Sequence, residues 1–131
     1  EEVRLAEIGF SAHTNRVAVT DGHLVCLTVE LAQRAAPEQA AAVLASFQAP
    51  PQVAGLPSAV SPVIVVREEE NRPQPRLDRM TGRGMATVVG RVRADQLFDL
   101  RLTVLSHNTI RGAAGGSLLN AEWMVQLGYA A

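Results

Sequence analysis

The stretch Arg16-Val-Ala-Val-Thr-Asp-Gly-His-Leu-Val-Cys-Leu-Thr-Val-Glu-Leu31 decides the fold. Its second half alternates, with Val25, Leu27, Val29 and Leu31 apolar and Cys26, Thr28 and Glu30 between them. A period of two is that of a strand with one buried face. Asp21-Gly22 is the dipeptide of a two-residue hairpin turn, whose central residues need positive φ. The stretch therefore predicts a strand over residues 8–20, a tight turn at Asp21-Gly22, and a second strand over residues 23–31. In that register Thr20 faces His23, Ala18 faces Val25 and Arg16 faces Leu27. Arg16 and His23 then project from one side, on the order of 14 Å apart at the backbone. An odd-length loop would put them on opposite faces.

Working outward, Pro37 and Glu38 open a helix over residues 37–48, with Ala40, Val43, Leu44 and Phe47 at helical spacing and Pro50-Pro51 ending it. Residues 62–67, Pro-Val-Ile-Val-Val-Arg, read as a short apolar strand. From Glu68 to Arg83 the chain is polar, rich in arginine, and carries Pro73 and Pro75. A segment of that length without periodicity is expected to be functional or interfacial, and its prolines suggest an ordered crossing to a partner subunit. Met85–Arg93 and Leu97–Ser106 read as two strands turned around Ala94-Asp95-Gln96. Residues 109–127 read as a helix capped by Asn108, and the small stretch Gly112–Ser117 needs close backbone approach to justify its poor helix propensity. The order β-β-α-β-β-β-α predicts one α+β domain over residues 1–131, an antiparallel or mixed sheet with helices on one face. No Gly-rich dinucleotide motif follows a strand, so a Rossmann domain is absent from these residues.

Composition narrows the function. Of 131 residues, 47% are hydrophobic, which supports a real core. Twelve cationic and 13 acidic side chains give a net charge of −1, against nucleic acid as a partner. No apolar run approaches the ~18–20 residues of a membrane span, and Glu1-Glu2 does not open a signal peptide. All twelve cations are arginine, which excludes lysine Schiff-base chemistry and a Walker lysine within this chain. The bias itself reads as genomic base composition or heat adaptation. Cys26, the single cysteine, excludes an intrachain disulfide and is expected to be a core thiol on the face opposite His23. His13 and His107 have no second ligand at metal spacing, so no metal is expected.

The pair Arg16 and His23 carries the chemistry. A guanidinium is a flat two-pronged donor matched to a carboxylate, and an imidazole can move a proton near neutral pH. Spacing alone leaves open a surface ion-pair arginine and a turn histidine.

Four strings occur in order: Ser11-Ala-His-Thr-Asn-Arg-Val-Ala-Val-Thr-Asp-Gly-His23, Arg72-Pro-Gln-Pro-Arg-Leu-Asp-Arg79, Val89-Gly-Arg-Val-Arg93 and Leu105-Ser-His-Asn-Thr-Ile-Arg-Gly-Ala-Ala-Gly115. From about residue 9 onward the chain resembles the C-terminal catalytic and dimerisation domain of the aspartate-semialdehyde dehydrogenases, in their archaeal and fungal-type branch. The resemblance implies the C-terminal domain of a glyceraldehyde-3-phosphate dehydrogenase-like fold. It implies NADPH-dependent reductive dephosphorylation of aspartyl phosphate to aspartate semialdehyde, on the route to lysine, threonine and methionine. Arg16 matches the arginine that holds the substrate carboxylate, and His23 the general acid/base. Asn108 and Thr109 match a segment returning toward the nicotinamide, with residues 112–116 packing on a cofactor domain. NADP(H) would be bound mainly by a domain outside these residues. The nucleophilic cysteine has no counterpart here, so the isolated domain is expected to be inactive. Glu1 and Arg4 have the spacing of a family Glu-x-x-Lys pair but stand closer to Arg16 than the family interval, and take no role. A homodimer or homotetramer, cytoplasmic, with a small-molecule substrate and neither membrane nor nucleic acid, is the corresponding expectation. The alternatives are a related acyl-thioester reductase of the malonyl-CoA reductase type and a non-catalytic dimerisation module.

Overall fold

The computed structural model describes residues 8–14 and 16–129; Glu1, Arg4 and Asn15 lie outside them. Five strands form one sheet: β1 (Gly9–Thr14), β2 (His23–Glu30), β3 (Ile64–Arg67), β4 (Thr87–Ala94) and β5 (Leu100–Ser106). Their order is β1-β2-β5-β4-β3. All neighbours are antiparallel except β3 and β4, which run parallel, so the sheet is mixed and the α+β expectation holds.

Alternation in β2 sorts the sheet into two faces. Val25, Leu27 and Val29 pair with Val104, Leu102 and Leu100, which makes one face apolar. Cys26 and Thr28 pair with Thr103 and Arg101 on the reverse. The tightest packing lies along β4 and β5, where Val88, Val89, Leu100 and Leu105 are buried together with Met85 and Ala86. Cys26 is exposed, which corrects the expectation of a core thiol. Its neighbours on that face, Thr28, Thr103 and Arg101, are polar, whereas Val88 and Leu105 further along the same face are buried.

The predicted hairpin is also corrected. β1 ends at Thr14 opposite Val25, and Gly9 stands opposite Glu30. Residues 16–20 are not strand. Asp21-Gly22 is no two-residue turn, because Gly22 is buried against the sheet. Its φ is +108°, and a Cβ there would stand 3.2 Å from Leu105 Cδ1 and 3.4 Å from Pro75 Cβ. The dipeptide ends a loop that docks on β5 and does not form a hairpin tip.

Helix α1 (Pro37–Ala45) starts at its proline, and Gln39 Oε1 accepts from the Ala36 N–H at 3.0 Å. It packs on β3 and β4 with Pro37, Ala40, Ala41 and Leu44 half-buried, while Val43 is 70% exposed, off the expected apolar face. Pro50-Pro51 does not merely stop a helix, since Pro51 opens the short α2 (Pro51–Ala54) as its first residue. The polar segment after β3 contains α3 (Pro75–Asp78) and a tight turn, Thr81–Gly84, with Gly82 and Arg83 both in the left-handed region. Its inner residues are folded onto their own chain. Asp78, 1% exposed, accepts from Arg72 Nε at 2.6 Å and from the Gln74 N–H at 2.7 Å, with Arg67 Nε 3.4 Å away. A Cβ on Gly90 would meet the Arg72 carbonyl oxygen at 2.5 Å, so the Arg72-Pro73 backbone crosses directly over β4. The β4–β5 connection is longer than expected: Ala94 still belongs to β4, β5 begins at Leu100, and Asp95 Oδ1 accepts from the Leu97 and Phe98 N–H groups in the turn between them.

The last helix differs at its start. A wide π-turn, Ile110–Ala114, leads into α4 (Gly115–Gln126). Asn108 does not cap it. The Ile110 N–H points to His107 Nδ1 at 3.3 Å instead, and Asn108 is engaged elsewhere. The close approach among the small residues is internal: a Cβ on Gly115 would lie 2.5 Å from Met85 Sδ, whereas Gly112, Ala113 and Ala114 are exposed.

Candidate active site

β2 is an inner strand, and its first residue, His23, stands opposite Ser106, the last of β5. On its other side the ladder ends with Thr14 opposite Val25. One more two-residue step of that ladder would set residue 16 opposite His23. The chain leaves the sheet first, swings out through residues 16–20, and returns at Asp21 and Gly22. The space between loop and sheet end is an open hollow of about 450 Å³. Arg16, His23 and Asn108 are in its wall with Thr14, Thr20 and Asp21. Arg16 and His23 thus share a hollow, but by a loop rather than by the hairpin register expected.

Asn108 holds the returning chain. Its Oδ1 accepts from the Gly22 N–H at 2.9 Å, across 86 residues of sequence. Its amide nitrogen takes no part in that bond and can act as a donor. His23 is therefore fixed on both flanks, by the β5 ladder and by Gly22. Thr109, the other residue expected near a cofactor, is not in the wall; its hydroxyl lies 3.2 Å from His107 Nδ1. His107 itself is buried and receives the Ile110 N–H, so it shapes the turn that presents Asn108. This clamp was not legible in the sequence. Its one signal, a glycine next to His23, reads equally as a hairpin.

Arg16 supplies a cation and forked donors to the wall of the hollow, and His23 an imidazole. The arrangement can hold a small carboxylate and exchange a proton with a group bound beside it. Asn108 also fits the carboxamide end of a nicotinamide, since its amide N–H groups can donate to a carbonyl oxygen. The described residues offer no further dinucleotide cradle: no helix N-terminus lines the hollow. Among the described residues no group of three His, Cys, Asp or Glu side chains could hold a metal ion, and no helix is long and apolar enough to cross a membrane.

Comparison with known proteins gives consistent results. An aspartate-semialdehyde dehydrogenase from Archaeoglobus fulgidus is 46% identical over 125 residues, covering 95% of this chain and 35% of the relative. One from Saccharomyces cerevisiae is 47% identical over 118 residues, covering 88% and 32%. The crystal structure of the Candida albicans aspartate-semialdehyde dehydrogenase with NADP superposes with a TM-score of 0.74 at 41% identity, over 84% of this chain and 31% of that one. The chain thus spans about a third of the length of the curated relatives it matches. Residues 1–111 match the model for the semialdehyde dehydrogenase dimerisation domain. On that match, and with the sheet and hollow just described, the chain belongs to the semialdehyde dehydrogenase dimerisation-domain family.

Proposed function

We propose that this chain is the substrate-binding and dimerisation part of an aspartate-semialdehyde dehydrogenase, which reduces aspartyl phosphate to aspartate semialdehyde and phosphate with NADPH. The observation that carries the reading is the common hollow of Arg16 and His23 at the end of β2. The names and identities of the relatives support it. Arg16 binds the substrate α-carboxylate through two parallel N–H···O bonds. His23, in the same hollow, moves the proton that the attacking thiol must lose and the departing thiolate regain. Cys26, the only cysteine in the sequence, lies on the reverse face of β2 from His23, so the nucleophile comes from another part of the protein. NADP(H), held mainly by that other part, supplies the hydride; from this chain, Asn108 would orient its nicotinamide through the amide. The assembly is a homodimer or homotetramer, in the cytoplasm.

The test uses the intact protein, assayed with aspartate semialdehyde, phosphate and NADP. His23→Ala should lower kcat by about 10²–10⁴-fold without loss of fold or assembly. Arg16→Lys should raise KM for aspartate semialdehyde more than it lowers kcat, because an ammonium cannot reproduce the fork. An unchanged kcat in His23→Ala would overturn the assignment, as would turnover of an acyl-CoA thioester in place of the amino-acid aldehyde.

A further inference from the structure

His107 is 4% exposed, and no step of the proposed reaction uses it. It directly follows Ser106, the residue paired with His23 at the end of the β2–β5 ladder. It directly precedes Asn108, which accepts the Gly22 N–H. The start of β2 is thus gripped by the residues on either side of His107.

Donors fix the ring. Nδ1 receives the Ile110 N–H at 3.3 Å and lies 3.2 Å from the Thr109 hydroxyl. A ring nitrogen that accepts from an amide carries no proton, so the proton of the neutral ring sits on Nε2. The His107 carbonyl oxygen receives the Gly112 N–H at 3.0 Å, the first bond of the wide turn that leads into α4. Asn108 and Thr109 are therefore spanned by two bonds from one residue, one through its ring and one through its carbonyl. The Thr81–Gly84 turn closes the other side. A Cβ on the buried Gly84 would stand 2.8 Å from Ile110 Cδ1 and 3.3 Å from His107 Cδ2, so the backbone itself floors the ring. A π-turn gives up regular helix bonding and is a frequent mark of a functional position.

We propose that His107 is a positioning residue for the acid/base: with Nδ1 as acceptor it sets Asn108 so that the amide oxygen meets the Gly22 N–H, and Gly22 in turn sets the backbone of His23. This role rests on the reaction proposed above, so it is read both in turnover and at the Gly22 amide, which reports without turnover. In the intact protein, His107→Leu should lower kcat by about 10- to 100-fold, the effect of a small misplacement at a reacting group. It should also speed Gly22 amide exchange as Asn108→Ala does, while β4 and β5 stay protected. His107→Asn brings an oxygen near the place of Nδ1 to accept the Ile110 N–H, and should keep most of the turnover and the slow exchange. In an Asn108→Ala background, His107→Leu should lower kcat no further, because the two residues act in series. Ser58→Ala removes a different tie to α4, the 2.6 Å bond from Ser58 Oγ to Glu122 Oε1, and should leave kcat unchanged. Additive losses in the double variant, or unchanged Gly22 exchange in His107→Leu, overturn the proposal. So does an equal loss of kcat in Ser58→Ala, which would mean that any loosening of α4 suffices. Loss of kcat in His107→Asn with Gly22 still protected overturns it too, and decides the matter if His107→Leu does not fold. A wild-type protein inactive on aspartate semialdehyde would overturn the proposed reaction alone, and Gly22 exchange would still decide the clamp.

Discussion

At the residue scale, Asp78 is the group whose loss should be felt most. Burial pushes its carboxyl up, but the hydrogen bonds from Arg72 and the Gln74 N–H, with the charges of Arg72 and Arg67, hold it below the ordinary carboxylate range. A carboxylate with a depressed folded pKa stabilises the protein above its unfolded value, about 4, and the contribution is lost as pH falls through the folded value. Asp78→Asn should therefore cost about 1–3 kcal/mol at neutral pH in urea unfolding, since it removes the charged acceptor of the Arg72 and Gln74 hydrogen bonds. It should also flatten the stability profile below pH ~4. A smaller residue effect belongs to Asn108. Asn108→Ala removes the acceptor for the Gly22 N–H and should cost about 1 kcal/mol, with faster hydrogen exchange at Gly22, whereas Asn108→Asp keeps the acceptor and the slow exchange. Sequence could not disclose either role, because a buried Asp78 and a surface Asp look alike until the partners arrive from other segments.

At the element scale, what was legible followed local periodicity. The alternation of β2, the proline start of α1 and the valines of β3 depend on neighbours in sequence, and each lies close to where the pattern sets it. What was not legible depends on distant packing. The β1–β2 connection has hairpin chemistry at Asp21-Gly22, yet the glycine serves a docking contact with Leu105 and Pro75. The α4 start has a good cap residue in Asn108, yet a backbone N–H 86 residues away claims it and His107 takes the turn. Arg16 and His23 were recognisable as a pair in chemistry; the loop that brings them together was not. The crossing of Arg72-Pro73 over β4 offers a test at this scale. Gly90→Ala would drive a methyl into the Arg72 carbonyl at 2.5 Å, backbone against side chain, so one of the two must move. The expected outcome is a destabilisation of at least ~1–3 kcal/mol, as for overpacking, with loss of amide protection in residues 72–79 ahead of β2.

For the whole molecule, the uneven covering of the sheet is the main feature. Val88 and Val89 of β4 and Leu100 and Leu105 of β5 are sealed, while apolar side chains elsewhere face solvent: Phe10 is 71% exposed, and along the second half of α4 Trp123, Met124, Val125 and Leu127 are each at least 41% exposed. Exposed apolar side chains gathered as on α4 mark a contact surface. The chain matches about a third of its relatives' length, and those surfaces fit contacts made by the remainder or by another subunit. The 131-residue chain alone should therefore bind the dye ANS strongly, with Trp123 emitting at a water-exposed wavelength, and the intact protein should bind far less dye. Equal dye binding by the two would show that the patch stays bare.

The early exit of β1 from its ladder has a mechanical consequence. His23 is bolted into an inner strand, but Arg16 hangs from a tether fastened at Thr14 and again at Gly22. The ladder holds His23, whereas no strand pairing holds Arg16. Amide exchange should accordingly be slow over residues 25–29 and fast over residues 16–20, slowing in the latter only when a carboxylate ligand draws the tether in. A latch and an anvil, one yielding and one rigid, would let ligands enter past the loop without disturbing the sheet.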